Sequence, residues 1–193
     1  MEYPLDMIAE DLSHLSIAIL ELLESNDEKP VKGKTTFQKE MFLIGNFISE
    51  IGEEADFFPH SFGPYSEASE IGLNDLISLG LVEEKSKSTY VITKSGHDVL
   101  DIVPGTFSSE ERRSIANFKN FFGDLTNDEL LLFVYVSYPD YVNESIVYSE
   151  VMIDRAKNSL SMYKKGAISL EKAAFLAGLN IENYLDLLRG TKV

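Results

Sequence analysis

The sequence predicts a mainly α-helical chain: a winged helix-turn-helix with one β-hairpin wing, then a helical C-terminal domain ending in a helix-turn-helix. Three observations predict it. Apolar residues recur at helical spacing through most of the 193 residues. A single segment, residues 81–93, switches to β-branched and aromatic character around a polar tip. Capping patterns and turn glycines punctuate the rest.

Leu5, Ile8, Leu12, Leu15, Ile19 and Leu22 give the first helix one buried stripe. The polar run "SNDEKPVKG" ends it as a loop. Thr35 and Gln38 then form a T-x-x-Q capping box, and Phe37, Met41, Ile44, Ile48 and Ile51 form the apolar face of a second helix closing near Gly52. "GKT" at 33–35 is not the end of a phosphate loop. The position where that loop needs its first glycine is Glu28, and the segment upstream has helical rather than strand spacing.

In "DFFPHSFGPYS", Pro59 and Pro64 forbid regular helix, and Gly63-Pro64 marks a turn. Ser66 caps a third helix that stops at Gly80. "LVEEKSKSTYVIT" reads as the hairpin and "SGHDVLDIV" as a short helix. Pro104-Gly105 marks the boundary between a winged-helix domain, 1–104, and a helical domain, 105–193. In the second domain, Ser108/Glu111 and Thr126/Glu129 are capping boxes opening two helices. A longer helix carries Met152, Ala156, Leu160 and Tyr163, with Gly166 past its end. Finally, Ser169 caps a helix with small residues at 173, 174 and 177. Gly178 makes the turn, and Leu179, Tyr184 and Leu187 supply the core face of the closing helix.

Composition narrows the function classes. The 44% apolar content supplies a core. There is no cysteine, hence no disulfide framework and no thiolate metal site. The chain opens without a basic-plus-apolar leader, and its longest wholly apolar run, 130–136, is far short of the ~20 residues of a membrane span. The expectation is a soluble, cytoplasmic protein with no membrane partner. His14, His60 and His97 lie far apart, and no catalytic or cofactor motif occurs, so the chain reads as a non-enzyme without cofactor or metal.

The net charge of −15 is uneven. Residues 1–104 hold seven Lys and Arg against twenty Asp and Glu, a net −13; residues 105–193 hold ten against twelve, a net −2. Such a first half repels a phosphate backbone unless its cations gather on one face. The third helix carries Glu67, Glu70 and Asp75 and no cation. Lys85, Lys87 and Lys94 by the hairpin, and Arg189 at the end of the last helix, are the candidate DNA-phosphate contacts. Phe62, Gly63, Pro64 and Tyr65, a Gly-Pro turn flanked by aromatics, form a candidate partner-binding patch, although Phe62 and Tyr65 equally suit the core. Seven aromatics between Phe118 and Tyr141 in the nearly neutral half suit either a core between the domains or a homodimer face.

"TTFQKEMFLIG", "FGPYSEASEIGLNDLISLGLVEE" and "YVITKSG" resemble the Q-K-x-x-F-L, G-P-Y-S, L-x-x-L-G-L-V and Y-x-I-T-x-x-G blocks of the small prokaryotic YwgA-like group. That group looks related to the Panacea (SocA-like) antitoxins. The resemblance covers about residues 33–100 and, through "YPDY" and Ser145, extends to about 145. "KKGAISLEKAAFLAGLNIENYLDLL" is similar to a short prokaryotic helix-turn-helix family associated with antitoxins. The resemblance implies a non-enzymatic regulator or antitoxin-like adaptor acting through a protein partner, a toxin or a regulated protein, with Gln38 and residues 62–66 as its family-marking positions and Gln38 a further candidate partner-binding residue. The alternative is a winged-helix transcriptional regulator that binds DNA.

Overall fold

The computed structural model describes residues 4–85, 88–103 and 105–190. Twelve α-helices dominate the described residues, accompanied by a three-stranded antiparallel sheet and a two-stranded one. None of these helices is long and apolar enough to cross a membrane. The chain divides into two compact units: residues 1–57 with 65–123, and residues 58–64 with 124–193.

The first unit opens with α1 (Leu5–Asp11) and α2 (His14–Glu28). The sequence predicts one helix here, but Leu12 is extended and Ser13 caps a new helix by accepting from Ser16 N at 3.1 Å. A serine hydroxyl competes for backbone N–H groups, and that breaks the stripe into two helices. Toward its end α2 kinks: Ser25 is extended, and Asn26, Asp27 and Glu28 are left-handed. Two side chains of a later helix, α7 (Ser109–Gly123), hold this kink. Lys119 Nζ donates to Leu23 O (3.0 Å) and Ser25 O (2.8 Å), and Asn120 Nδ2 to Asn26 Oδ1 (3.1 Å). Asn26 Nδ2 in turn donates to Ala116 O (2.8 Å).

The expected polar loop contains a short strand, β1 (Val31–Lys32). Next come α3 (Lys34–Phe47) and α4 (Ser49–Ala55). The Thr35–Gln38 capping box does not form. Gly33 is the N-cap, with φ +92°, no side chain caps the helix, and Gln38 points inward. Phe37, Met41, Ile44, Ile48 and Ile51 are all buried, but the helix breaks at Ile48. Gly45 and Gly52 face each other across the break, where a Cβ on Gly52 would strike the Gly45 carbonyl.

After two short strands, β2 (Phe58–His60) and β3 (Gly63–Tyr65), comes α5 (Glu67–Ser78). Ser66 caps α5, its Oγ accepting from Ser69 N at 2.9 Å, and Gly80 is left-handed past its end, both as the sequence predicts. The hairpin of β4 (Val82–Lys85) and β5 (Thr89–Ile92) is also as predicted. β1 adds a third antiparallel strand, in the order β1-β5-β4 with Val31 opposite Tyr90. Burial explains the omission: Val31 is 2% exposed, yet two residues carry no readable alternation. β2 and β3 pair as a second, small sheet that the sequence reading leaves as an irregular turn. α6 (Lys94–Ile102) and α7 complete the first unit. Ile19, Leu22, Met41, Leu76, Leu81 and Val99 are among its fully buried core.

In the second unit, α8 (Asn127–Ser137) begins with the predicted Thr126/Glu129 capping box and stops before Pro139. A 3-10 turn, η1 (Pro139–Tyr141), follows. The predicted long helix is two, α9 (Tyr148–Ile153) and α10 (Arg155–Lys164). α11 (Leu170–Ala177) and α12 (Ile181–Gly190) close the chain, joined by a tight turn in which Gly178 has φ +71°. Ala173, Ala174, Ala177 and Tyr184 are buried together, because the three alanines let α12 approach closely enough to seat the Tyr184 ring.

Candidate partner-binding surface

Gln38 is 4% exposed and therefore a scaffold residue. Its Nε2 donates to Ser66 O at 3.0 Å, and its Oε1 accepts from Ser66 N at 2.8 Å. The amide completes both backbone groups of the residue that caps α5, which fixes where α5 begins. Sequence reasoning assigns Gln38 to a local cap. The real partner lies 28 residues away, beyond the reach of any local pattern.

Tyr65 is half-buried, and its hydroxyl donates to Glu70 Oε2 at 2.8 Å. Lys34 Nζ binds the other oxygen of Glu70 at 2.6 Å. The two donors hold the Glu70 carboxyl below the usual carboxylate range, while burial and the Glu70 charge push the Tyr65 phenol up to about 12. The ammonium that the letters "GKT" offer to a phosphate is thus already on a carboxylate.

The exposed side of α5 displays Glu67, Ile71, Asp75 and Leu79 at successive four-residue steps. Ile71 is 53% exposed and Leu79 42%. No lysine or arginine occurs between residues 40 and 84, so α5 carries carboxylates, aliphatic and uncharged polar side chains and no cation. Lys85, at the end of β4, and Lys94, which opens α6, are both exposed. Lys85 follows the exposed Glu83 and Glu84 directly. Lys87 lies outside the described residues, as does Pro104.

Phe62, Gly63 and Pro64 belong to the second unit. Gly63 and Pro64 are buried; Phe62, at the tip of the β2–β3 hairpin, is 42% exposed. Ser61 O accepts from Ile146 N at 3.1 Å, which ties this hairpin to the segment after η1. Arg189 is exposed on α12 and pairs with Asp186 at 2.9 Å. Of the aromatics in the C-terminal half, Phe122 and Tyr135 are fully buried, and Tyr135 Oη shares a 2.7 Å hydrogen bond with Ser145 Oγ.

A second concentration of charge is internal and has no signature in the local sequence. Glu40 is 2% exposed on α3, and its Oε2 has no hydrogen-bond partner among the described residues. Burial pushes its carboxyl up to about 8, against the opposing charges of Lys119 and Lys29. Burial also brings Lys39 down to about 7 and Lys119 down to about 8. The sequence counts all four among its surface charges. Packing removes Glu40, Lys39 and Lys119 from water, and α7 brings Lys119 against α2.

Compared with models of known protein families, with curated proteins and with solved structures, the chain matches none.

Proposed function

We propose that the chain is a regulatory, antitoxin-like adaptor that works by binding another protein, and that the winged-helix domain of residues 1–104 is the scaffold for that contact. The observation that carries this reading is the face of α5. It offers carboxylates and exposed aliphatic side chains, and Lys34 beside it is neutralised by Glu70. A phosphate backbone is repelled by such a face, whereas apolar anchors rimmed by charge are what a protein interface uses. The order α3, α4, α5 and then the β4–β5 hairpin supports the winged-helix reading, and with it kinship to the YwgA-like, antitoxin-related group. The alternative, a DNA-binding regulator, draws its support from α11 and α12 with their glycine turn. There, however, the exposed positions are Glu182, Asn183 and Asp186, and Arg189 is already paired.

Titration of a labelled mixed-sequence duplex at low and moderate salt tests the choice. The adaptor reading expects no binding tighter than micromolar even at low salt, and a protein that co-purifies from the source cell. Submicromolar, salt-sensitive binding that is lost in Lys85→Glu/Lys87→Glu would overturn it.

A further inference from the structure

An open groove of about 490 Å³ runs along the first unit between α1 and α5. Met7, Ile8 and Leu12 form its α1 side, and Leu79 forms its α5 side. Met7 is 56% exposed, although a thioether gains from burial and adapts to irregular partners. One carboxylate stands on each helix, Asp11 on α1 and Asp75 on α5. No described cation pairs with either of them.

The charge around the groove has one sign. Residues 4–28 and 40–84, which supply every residue lining it, contain no lysine or arginine. Asp6 and Glu10 add two more exposed carboxylates on α1. An occupant must therefore bring apolar side chains for the floor and cations for the rim. Nucleic acid and anionic membranes fail the second requirement, and a second copy of this face would set carboxylate against carboxylate.

We propose that this groove is the docking site for a basic amphipathic helix of a partner protein. The partner's apolar side chains would lie on Met7, Ile8, Leu12 and Leu79, and its Lys or Arg side chains on Asp11 and Asp75. The arrangement is helix-in-groove recognition, in which aliphatic anchors supply affinity and rim charges supply orientation and on-rate. The inference rests on the adaptor reading and specifies the chemistry of the partner.

The test uses the full chain and a fluorescein-labelled helical peptide of leucine and lysine, read by anisotropy. Binding should weaken by about tenfold or more in Asp11→Asn/Asp75→Asn, and similarly in Leu79→Ser. Glu83→Gln/Glu84→Gln, which removes the same charge from the hairpin, should leave it unchanged. All of these positions are exposed, and circular dichroism verifies that the variants are folded. Equal weakening by the hairpin variant, or equal binding of a glycine–lysine peptide of the same charge, would overturn the proposal, because either shows attraction to net charge alone. A monomer–dimer equilibrium shifted by the groove variants in sedimentation would assign the groove to a second copy and also overturn it. If the peptide fails while a protein still co-purifies and duplex DNA does not bind, the groove assignment falls and the adaptor reading stands.

Discussion

Replacing Glu40 with glutamine should convert a pH-dependent weakness into a constant. In the unfolded chain this carboxyl releases its proton near 4.5; in the folded chain burial holds the proton to about 8. Between those values the folded state binds more protons than the unfolded state, so the carboxyl's contribution to stability falls as pH rises. At about 1.4 kcal/mol per pH unit, the loss between pH 5 and pH 8 is about 4 kcal/mol. Glu40→Gln carries a neutral amide of nearly the same shape throughout. Its stability relative to wild type should therefore be near zero at pH 5 and reach about +4 kcal/mol at pH 9. Lys39 and Lys119 have the opposite sign: lowered to about 7 and about 8, they add stability as pH rises from there toward 10.5. Lys39 is the same in both proteins and cancels; Lys119 cancels below about pH 8, where Glu40 is uncharged in the folded protein, and above it the Glu40 charge, which raises Lys119, enters the difference. Urea unfolding at pH 5, 7 and 9, followed by far-ultraviolet circular dichroism, measures it. A difference that stays constant across the three pH values would refute the reasoning, showing that Glu40 is already ionised in the folded protein at pH 5.

Gln38→Ala leaves the buried N–H and carbonyl of Ser66 without their partner, and should cost about 2–4 kcal/mol in urea unfolding at pH 7. His97 Nδ1 donates to Glu24 Oε1 at 3.0 Å and its Nε2 lies 3.3 Å from Glu28 Oε1, and the Glu24 hydrogen bond raises its pKa above 6.5. That stabilisation is fully present below the unfolded value and lost as pH rises through the folded one. The deficit of His97→Gln should therefore be larger at pH 5.5 than at pH 8.5 in the same assay. Arg155 donates to Leu176 O at 2.8 Å and Phe175 O at 3.3 Å, and its guanidinium lies under Gly178. Arg155→Ala should cost about 1–3 kcal/mol, seen as faster amide exchange in α11 and α12.

The elements most legible in the sequence are those closed by local chemistry. Ser66, Thr126 and Ser169 each accept from a backbone N–H three residues on, and Gly80, Gly166 and Gly178 are left-handed as their turn positions require. Such contacts span a few residues, so their spelling is visible in a short window. The failures are the opposite case. Thr35 and Gln38 spell a capping box, yet a long-range bond to Ser66 claims the glutamine. One unbroken apolar stripe, from Leu5 to Leu22, becomes two helices because periodicity records which residues face the core and is silent about a break at Leu12.

By itself the sequence determined the helical class, the hairpin at residues 82–92, and the concentration of acid in the first 104 residues. Each follows from composition, period or near-neighbour hydrogen bonding. Tertiary structure alone decided which charges count. It buried Lys39, Glu40 and Lys119 and placed Lys34 on Glu70. It also left Asp11 and Asp75 facing each other's groove from helices more than sixty residues apart in the chain. The physical reason is that a charge's energy depends on its dielectric surroundings and nearest opposite charge, and both are set by contacts distant in sequence.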